Sequence, residues 1–153
     1  MKMEDVDPFE ECFTHISEKD GHQTTWAAGA LFRFCEANPD KVERTLIPVE
    51  QHHAHFCLTQ RGVEKDRLRV LVEHPEYQAK PILFVVMPDG AYLLVDGTHR
   101  YVVAFGALDP DIDAYLVPYA VAEPFIIEGL PQTSVEAVMS PSHITLLRSL
   151  GLM

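Results

Sequence analysis

Positive charge is scarce in this chain: 153 residues carry 12 Lys and Arg against 23 Asp and Glu, a formal net charge of −11. A protein that grips a nucleic-acid duplex neutralises several phosphates with Lys and Arg, and the long-range field here repels polyanions. Nucleic acid is therefore disfavoured as a partner. A small phosphorylated ligand at one focused site fits the balance better. Cysteine is scarce too. Cys12, Cys35 and Cys57 are odd in number and far apart, which argues against a disulfide framework, and no Cys-x-x-Cys pair is present to build a zinc knuckle. No apolar run approaches the ~20 residues of a membrane span. The acidic start Met1-Lys2-Met3-Glu4-Asp5 does not read as a signal peptide. A cytoplasmic protein with no membrane partner is the expectation, without internal repeats or a low-complexity linker.

What is present is an ordinary globular composition, 47% apolar, long enough to bury a real core as one domain with terminal extensions. Phe9, Cys12, Phe13 and Ile16 fall on one face of a helix begun by Asp7-Pro8, and Asp20-Gly21 marks a turn. Thr24 or Thr25 caps a second helix from Trp26 to about Ala37, ended by Asn38-Pro39. Its apolar residues go nearly all round. It is expected to bury against the main domain or another subunit as a homo-oligomer contact, with Trp26 as a packing anchor.

Leu46–Val49 reads as a strand. After it, Glu50-Gln51-His52-His53-Ala54-His55 offers three histidines within four residues, and imidazole is a common metal ligand. The spacing is not the i, i+4 pairing of a zinc-protease helix. A wet loop with no metal is favoured over a site built on His52, His53 and His55. Residues 62–75 form an amphipathic helix with a solvated charged face. Ile82–Met87, the turn Pro88-Asp89-Gly90 and Tyr92–Val95 form an antiparallel hairpin. Thr98–Gly106 is helical and Ile112–Val117 is a strand. Phe125-Ile126-Ile127 is read as an edge strand, followed by short helices around Ser134–Met139 and from Ser140-Pro141 onward.

One stretch organises the rest, Tyr92 to Gly106. A buried strand runs into Asp96-Gly97, where Gly97 can adopt φ > 0. Thr98 follows as an N-cap, and Gly106 is a plausible C′ stop. A strand turning sharply into a helix leaves the first N–H groups of that helix unpaired, and such groups bind anions. Thr98, His99 and Arg100 would add a hydroxyl, an imidazole and a guanidinium. A phosphate site is the reading, weighed against a merely solvated His-Arg pair on a capped helix.

Leu94-Val95-Asp96-Gly97-Thr98-His99-Arg100-Tyr101 resembles the signature of the ParB/sulfiredoxin superfamily, a strand leading into Gly-x-(His/Arg)-Arg and a helix. Lys80-Pro81-Ile82-Leu83-Phe84-Val85 is similar to the family's Pro-Ile-x-Val strand, Ile47-Pro48-Val49 to its opening strand, and Asp111 to Pro118 to the strand after the motif helix. The likeness runs from Thr45 to Pro118. It implies an α+β fold, a small mixed or antiparallel sheet of ParB/sulfiredoxin type with N- and C-terminal helices packed around it. The boundaries are a helical extension over 1–44, the core over 45–128 and C-terminal helices over 129–153.

Sulfiredoxins carry Cys immediately before His-Arg. Here that position is Thr98, so the nucleophile of sulfinic-acid reduction is missing. Partition proteins continue into a helix-turn-helix domain, for which the residues after Pro118 are too few. Asp96-Gly97-Thr98-His99-Arg100 is closest to the branch that phosphorylates free serine. That resemblance implies Gly97, Thr98, His99 and Arg100 as a cradle for the phosphates of ATP, ADP or CTP, with Mg²⁺ as the metal such chemistry uses. A carboxylate would be the base, with Glu50 as candidate, His53 or His55 as substitute and Asp96 as a third option. The expected function is a phosphotransferase or phosphohydrolase acting on a small substrate. A non-enzymatic nucleotide-binding or protein-interaction module is the alternative, and a ParB-like nuclease or DNA-modification accessory protein a further one.

Overall fold

A computed structural model describes residues 1–2, 11–17 and 21–128. The expected helices around Ser134–Met139 and after Ser140 lie outside the described residues. The chain divides into two compact units, Met1–Phe34 with Ala122–Met153, and Cys35–Val121. The whole is α+β, with two small sheets among the described residues.

In the first unit, β1 (Phe13–Ile16) pairs antiparallel with β2 (Gln23–Trp26). This corrects the helix expected to end at Ile16. Thr14, Thr24 and Thr25 are β-branched and suit a pleated ribbon, and facing Thr14 and Thr25 hydroxyls hydrogen-bond at 2.9 Å. The turn expected at Asp20-Gly21 is supported by Gly21, at φ +69°, whose N–H bonds to Ser17 O. Trp26 ends β2 rather than opening a helix, and is fully buried as a packing anchor. The helix α1 (Ala28–Ala37) starts two residues later. Glu123–Phe125 is a 3₁₀ turn, so the strand expected at Phe125–Ile127 is reduced to a single bridge from Ile126 to Trp26. The Ala27 N–H donates to Phe125 O and the Ile127 N–H to Thr25 O, each at 2.8 Å.

The second unit holds a four-stranded mixed sheet in the order β3-β6-β4-β5. Its strands are β3 (Glu43–Pro48), β4 (Ile82–Val86), β5 (Tyr92–Asp96) and β6 (Asp111–Pro118). Strand β4 runs antiparallel to β5 through the expected hairpin and parallel to β6. Edge strand β3 runs antiparallel to β6. Between β3 and β4 come α2 (Gln51–Phe56), a π-helical turn over Cys57–Arg61, α3 (Lys65–Glu73) and α4 (Pro75–Gln78). The parallel β4–β6 pair needs a crossover, and α5 (Thr98–Gly106) supplies it. A short helix, α6 (Tyr119–Ala122), follows β6.

Period-2 alternation sends Ile82, Phe84, Leu94, Ile112, Ala114 and Leu116 to one sheet face, where they pack with Tyr101, Val102 and Ala104 of α5 and with Ala54 and Cys57. That layer holds α5 and the α2 segment side by side. The segment Glu50–His55 is therefore helical from Gln51, not a loop: Ala54 and Cys57, three residues apart, form its buried face. No helix among the described residues is long and apolar enough to cross a membrane.

Candidate functional site

The turn from β5 into α5 is set by one clash. Gly97 is the N-cap at φ +108°, and a Cβ there would lie inside the Ile82 side chain of β4. Only glycine accepts both the conformation and the approach. Thr98, expected as the cap, is instead the first helical residue, and no side chain caps α5. The first-turn N–H groups of a helix have no intrahelical partner. At α5 they carry the partial positive charge of the helix end.

Within that first turn the expected residues diverge. Thr98 faces the α2 segment, and its Oγ1 accepts a hydrogen bond from Arg61 Nη1 at 3.2 Å. Tyr101, one turn on, faces the same way. Its hydroxyl accepts the Glu50 N–H at 2.7 Å and donates to Pro48 O at 3.3 Å. Arg100 is two residues from Thr98, ~200° around the helix, and turns beneath the bend. Its Nη2 donates to Pro81 O at 3.1 Å and lies 3.6 Å from Asp96 Oδ2. The Arg100 side chain is 14% exposed and that of Asp96 18%. The Arg100 carbonyl also accepts from Gln78 Nε2 at 2.8 Å. Arg100 and Asp96 thus tie the turn to the entry of β4. His99 accepts the Glu64 N–H on Nε2 at 3.0 Å, which places its ring proton on Nδ1.

Arg61 is the cation that the sequence reading missed. It ends the π-helical turn, whose i→i+5 bond runs from the Gly62 N–H to Cys57 O at 3.0 Å. An α-helix turns ~100° per residue, so eight residues overshoot by ~80°. Wider π winding turns less per residue and brings Arg61 back toward the face carrying His53. Burial lowers the Arg61 pKa, opposed by the Cys57 thiol. A desolvated guanidinium beside a helix start interacts strongly with an anion, because solvent screens it little.

The histidines do not converge. His52 and His55 point outward from α2, while His53 is half-buried against Tyr101, with ring centroids 4.6 Å apart. Burial, Arg61 and His52 lower the His53 pKa against a smaller opposing effect of Glu50. Glu50 carries its carboxylate 3.2 Å from His52 Nε2. Among the described residues no group of three His, Cys, Asp or Glu is placed to hold a metal ion. The buried Cys57 thiol has its pKa raised by desolvation, and burial pushes that of Cys35 to about 12. Neither is poised for thiolate chemistry.

The geometry therefore gathers Thr98, Arg61, His99 and the α5 amino end, and sets Arg100 and Asp96 behind them. No protein-family model, curated protein or solved structure matches this chain.

Proposed function

We propose that the amino end of α5 is a phosphate cradle and that the protein binds a nucleotide, ATP, ADP or CTP, through it. The observation that carries this is the desolvated Arg61 guanidinium hydrogen-bonded to Thr98 at a helix start with no side-chain cap. Gly97, Thr98 and His99 would hold the phosphates as the ParB/sulfiredoxin resemblance implies, with Arg61 in the cationic role implied there for Arg100. In the enzymatic form of this reading the protein is a phosphotransferase or phosphohydrolase acting on a small substrate. Arg61 and the helix N–H groups then stabilise charge on the transferring phosphoryl group. Mg²⁺ carried in with the nucleotide would neutralise part of the phosphate charge.

A second reading, a binding module without turnover, is favoured by the carboxylates. Asp96 is paired with Arg100, and Glu50 sits with His52 on the outer side of α2. Neither is poised as a base. Purified protein is screened by thermal shift against ATP, ADP and CTP with Mg²⁺, since a ligand of the native state raises its melting temperature. Stabilisation by a nucleotide that inorganic sulfate does not reproduce supports the cradle, and absence of any shift contradicts it. Release of phosphate from the stabilising nucleotide separates enzyme from binding module.

A further inference from the structure

His53, Cys57 and Arg61 recur every fourth residue along α2 and the π-helical turn that continues it. Thr98 and Tyr101 share one face of α5. The two faces meet at two rungs: His53 stacks on Tyr101 at 4.6 Å, and Arg61 bonds to Thr98 at 3.2 Å. The rungs are three residues apart along α5, a rise of ~4.5 Å. His53 Nε2 is buried and makes no hydrogen bond among the described residues. Its ring lies among Phe56, Phe84 and Tyr101. A buried polar atom without a partner is costly, and in a folded protein it calls for a reason.

The groups that face this ring come from each neighbouring element. Arg61 stands on the π-helical turn, Glu50 and His52 at the start of α2, Tyr101 on α5 and Phe84 on β4. Burial, then Arg61 and His52, oppose a charge on the ring, against a smaller favourable effect of Glu50. An anion seated on Arg61 masks the guanidinium and adds negative charge beside the ring, and both changes favour the imidazolium.

On the reading of this site as a phosphate cradle, we infer that His53 is a proton-coupled ligand of the anion. As a phosphate dianion settles against Arg61 and Thr98, the imidazole takes one proton from solvent and donates Nε2–H to a phosphate oxygen. The two negative charges are then met by a guanidinium and an imidazolium. Such a site prefers a terminal phosphate in its dianionic form over a singly charged sulfate ester.

The test is calorimetric titration with ADP at pH 7.5, where its terminal phosphate is largely ionised, in two buffers of different ionisation enthalpy. The wild-type protein takes up about one proton per ADP bound, and its affinity falls about tenfold per pH unit above neutrality. The His53→Gln variant binds ADP more weakly and takes up none. ADP binding without proton uptake, or with equal uptake in both proteins, overturns the inference. Because the substitution sits in a packed layer, the ring resonances of His53 in the unsubstituted protein give a second readout. They move to imidazolium positions on addition of ADP, and unmoved resonances in the ADP-bound protein contradict the inference. The titration is repeated with ATP and CTP where ADP does not bind, and if none of the three binds the wild-type protein the phosphate cradle itself fails and this inference fails with it.

Discussion

On the proposed function, Arg61 takes the anion that the pattern Gly97-Thr98-His99-Arg100 gives to Arg100, and Arg100 holds the turn. Arg100 is adjacent to the motif in sequence, yet helical geometry carries it to the far side of α5, where it meets Pro81 O and Asp96. Arg61 is 37 residues from Thr98 in the chain and reaches it through a π-helical turn. Adjacency could not reveal this, because the residues preceding Gly62 carry no sequence mark of wider winding. Gly97 was legible, since Asp-Gly after an apolar run calls for a positive φ. That Ile82 closes over it was not. Tyr101 reads in sequence as part of the apolar stretch, although its hydroxyl joins α5 to both Pro48 and Glu50. Tyr101→Phe is expected to leave the fold intact and to lower stability by about 1–2 kcal/mol, the cost of two part-buried groups losing their partner. Urea unfolding would show a lower midpoint at unchanged slope.

Among the elements, most of Cys35–Val121 could be read from pattern: the hairpin β4–β5, the helix α5 and β6. Elements decided by tertiary pairing were harder. Phe13–Ile16 carries a helical spacing that its pairing with β2 overrides. The Glu50–His55 segment is polar enough to pass for a loop, yet Ala54 and Cys57 dock it on the sheet. The end of α5 is a case of its own. Gly106 was the expected stop, but the left-handed residue is Leu108, at φ +61°. The bonds Asp109 N–H to Ala104 O and Leu108 N–H to Phe105 O, both 3.0 Å, complete a Schellman motif around it. Leucine is strained there and, at 86% exposure, gains little packing in return. Leu108→Gly should therefore stabilise the protein by about 1 kcal/mol, seen as a raised thermal midpoint. An unchanged or lowered midpoint would contradict the strain.

For the molecule as a whole, Lys and Arg are few and Arg61 is partly buried among them, and the His53–Arg61 face makes stability depend on pH. The folded-state pKa of His53 lies below its ordinary value of 6.5, chiefly through burial. Below that ordinary value the unfolded chain binds the proton more readily than the folded one. This contribution is thus fully present above pH 6.5 and is lost as pH falls through the folded-state value. Denaturation midpoints measured from pH 8 to pH 5 should fall on the acid side, and His53→Gln should flatten the part of that slope due to this ring. A slope identical in both proteins would show that His53 titrates alike in folded and unfolded chains.

On the proposed function an anion meets Arg61 at the amino end of α5, while Arg100 serves the turn behind it. Calorimetric titration of ADP into Arg61→Gln and Arg100→Gln tests it most directly, alongside urea unfolding of each. Arg61→Gln is expected to lose at least about tenfold in affinity with stability retained, and the folded Arg100→Gln protein to be less stable with affinity largely kept. Affinity untouched in Arg61→Gln but abolished in a stably folded Arg100→Gln would contradict it.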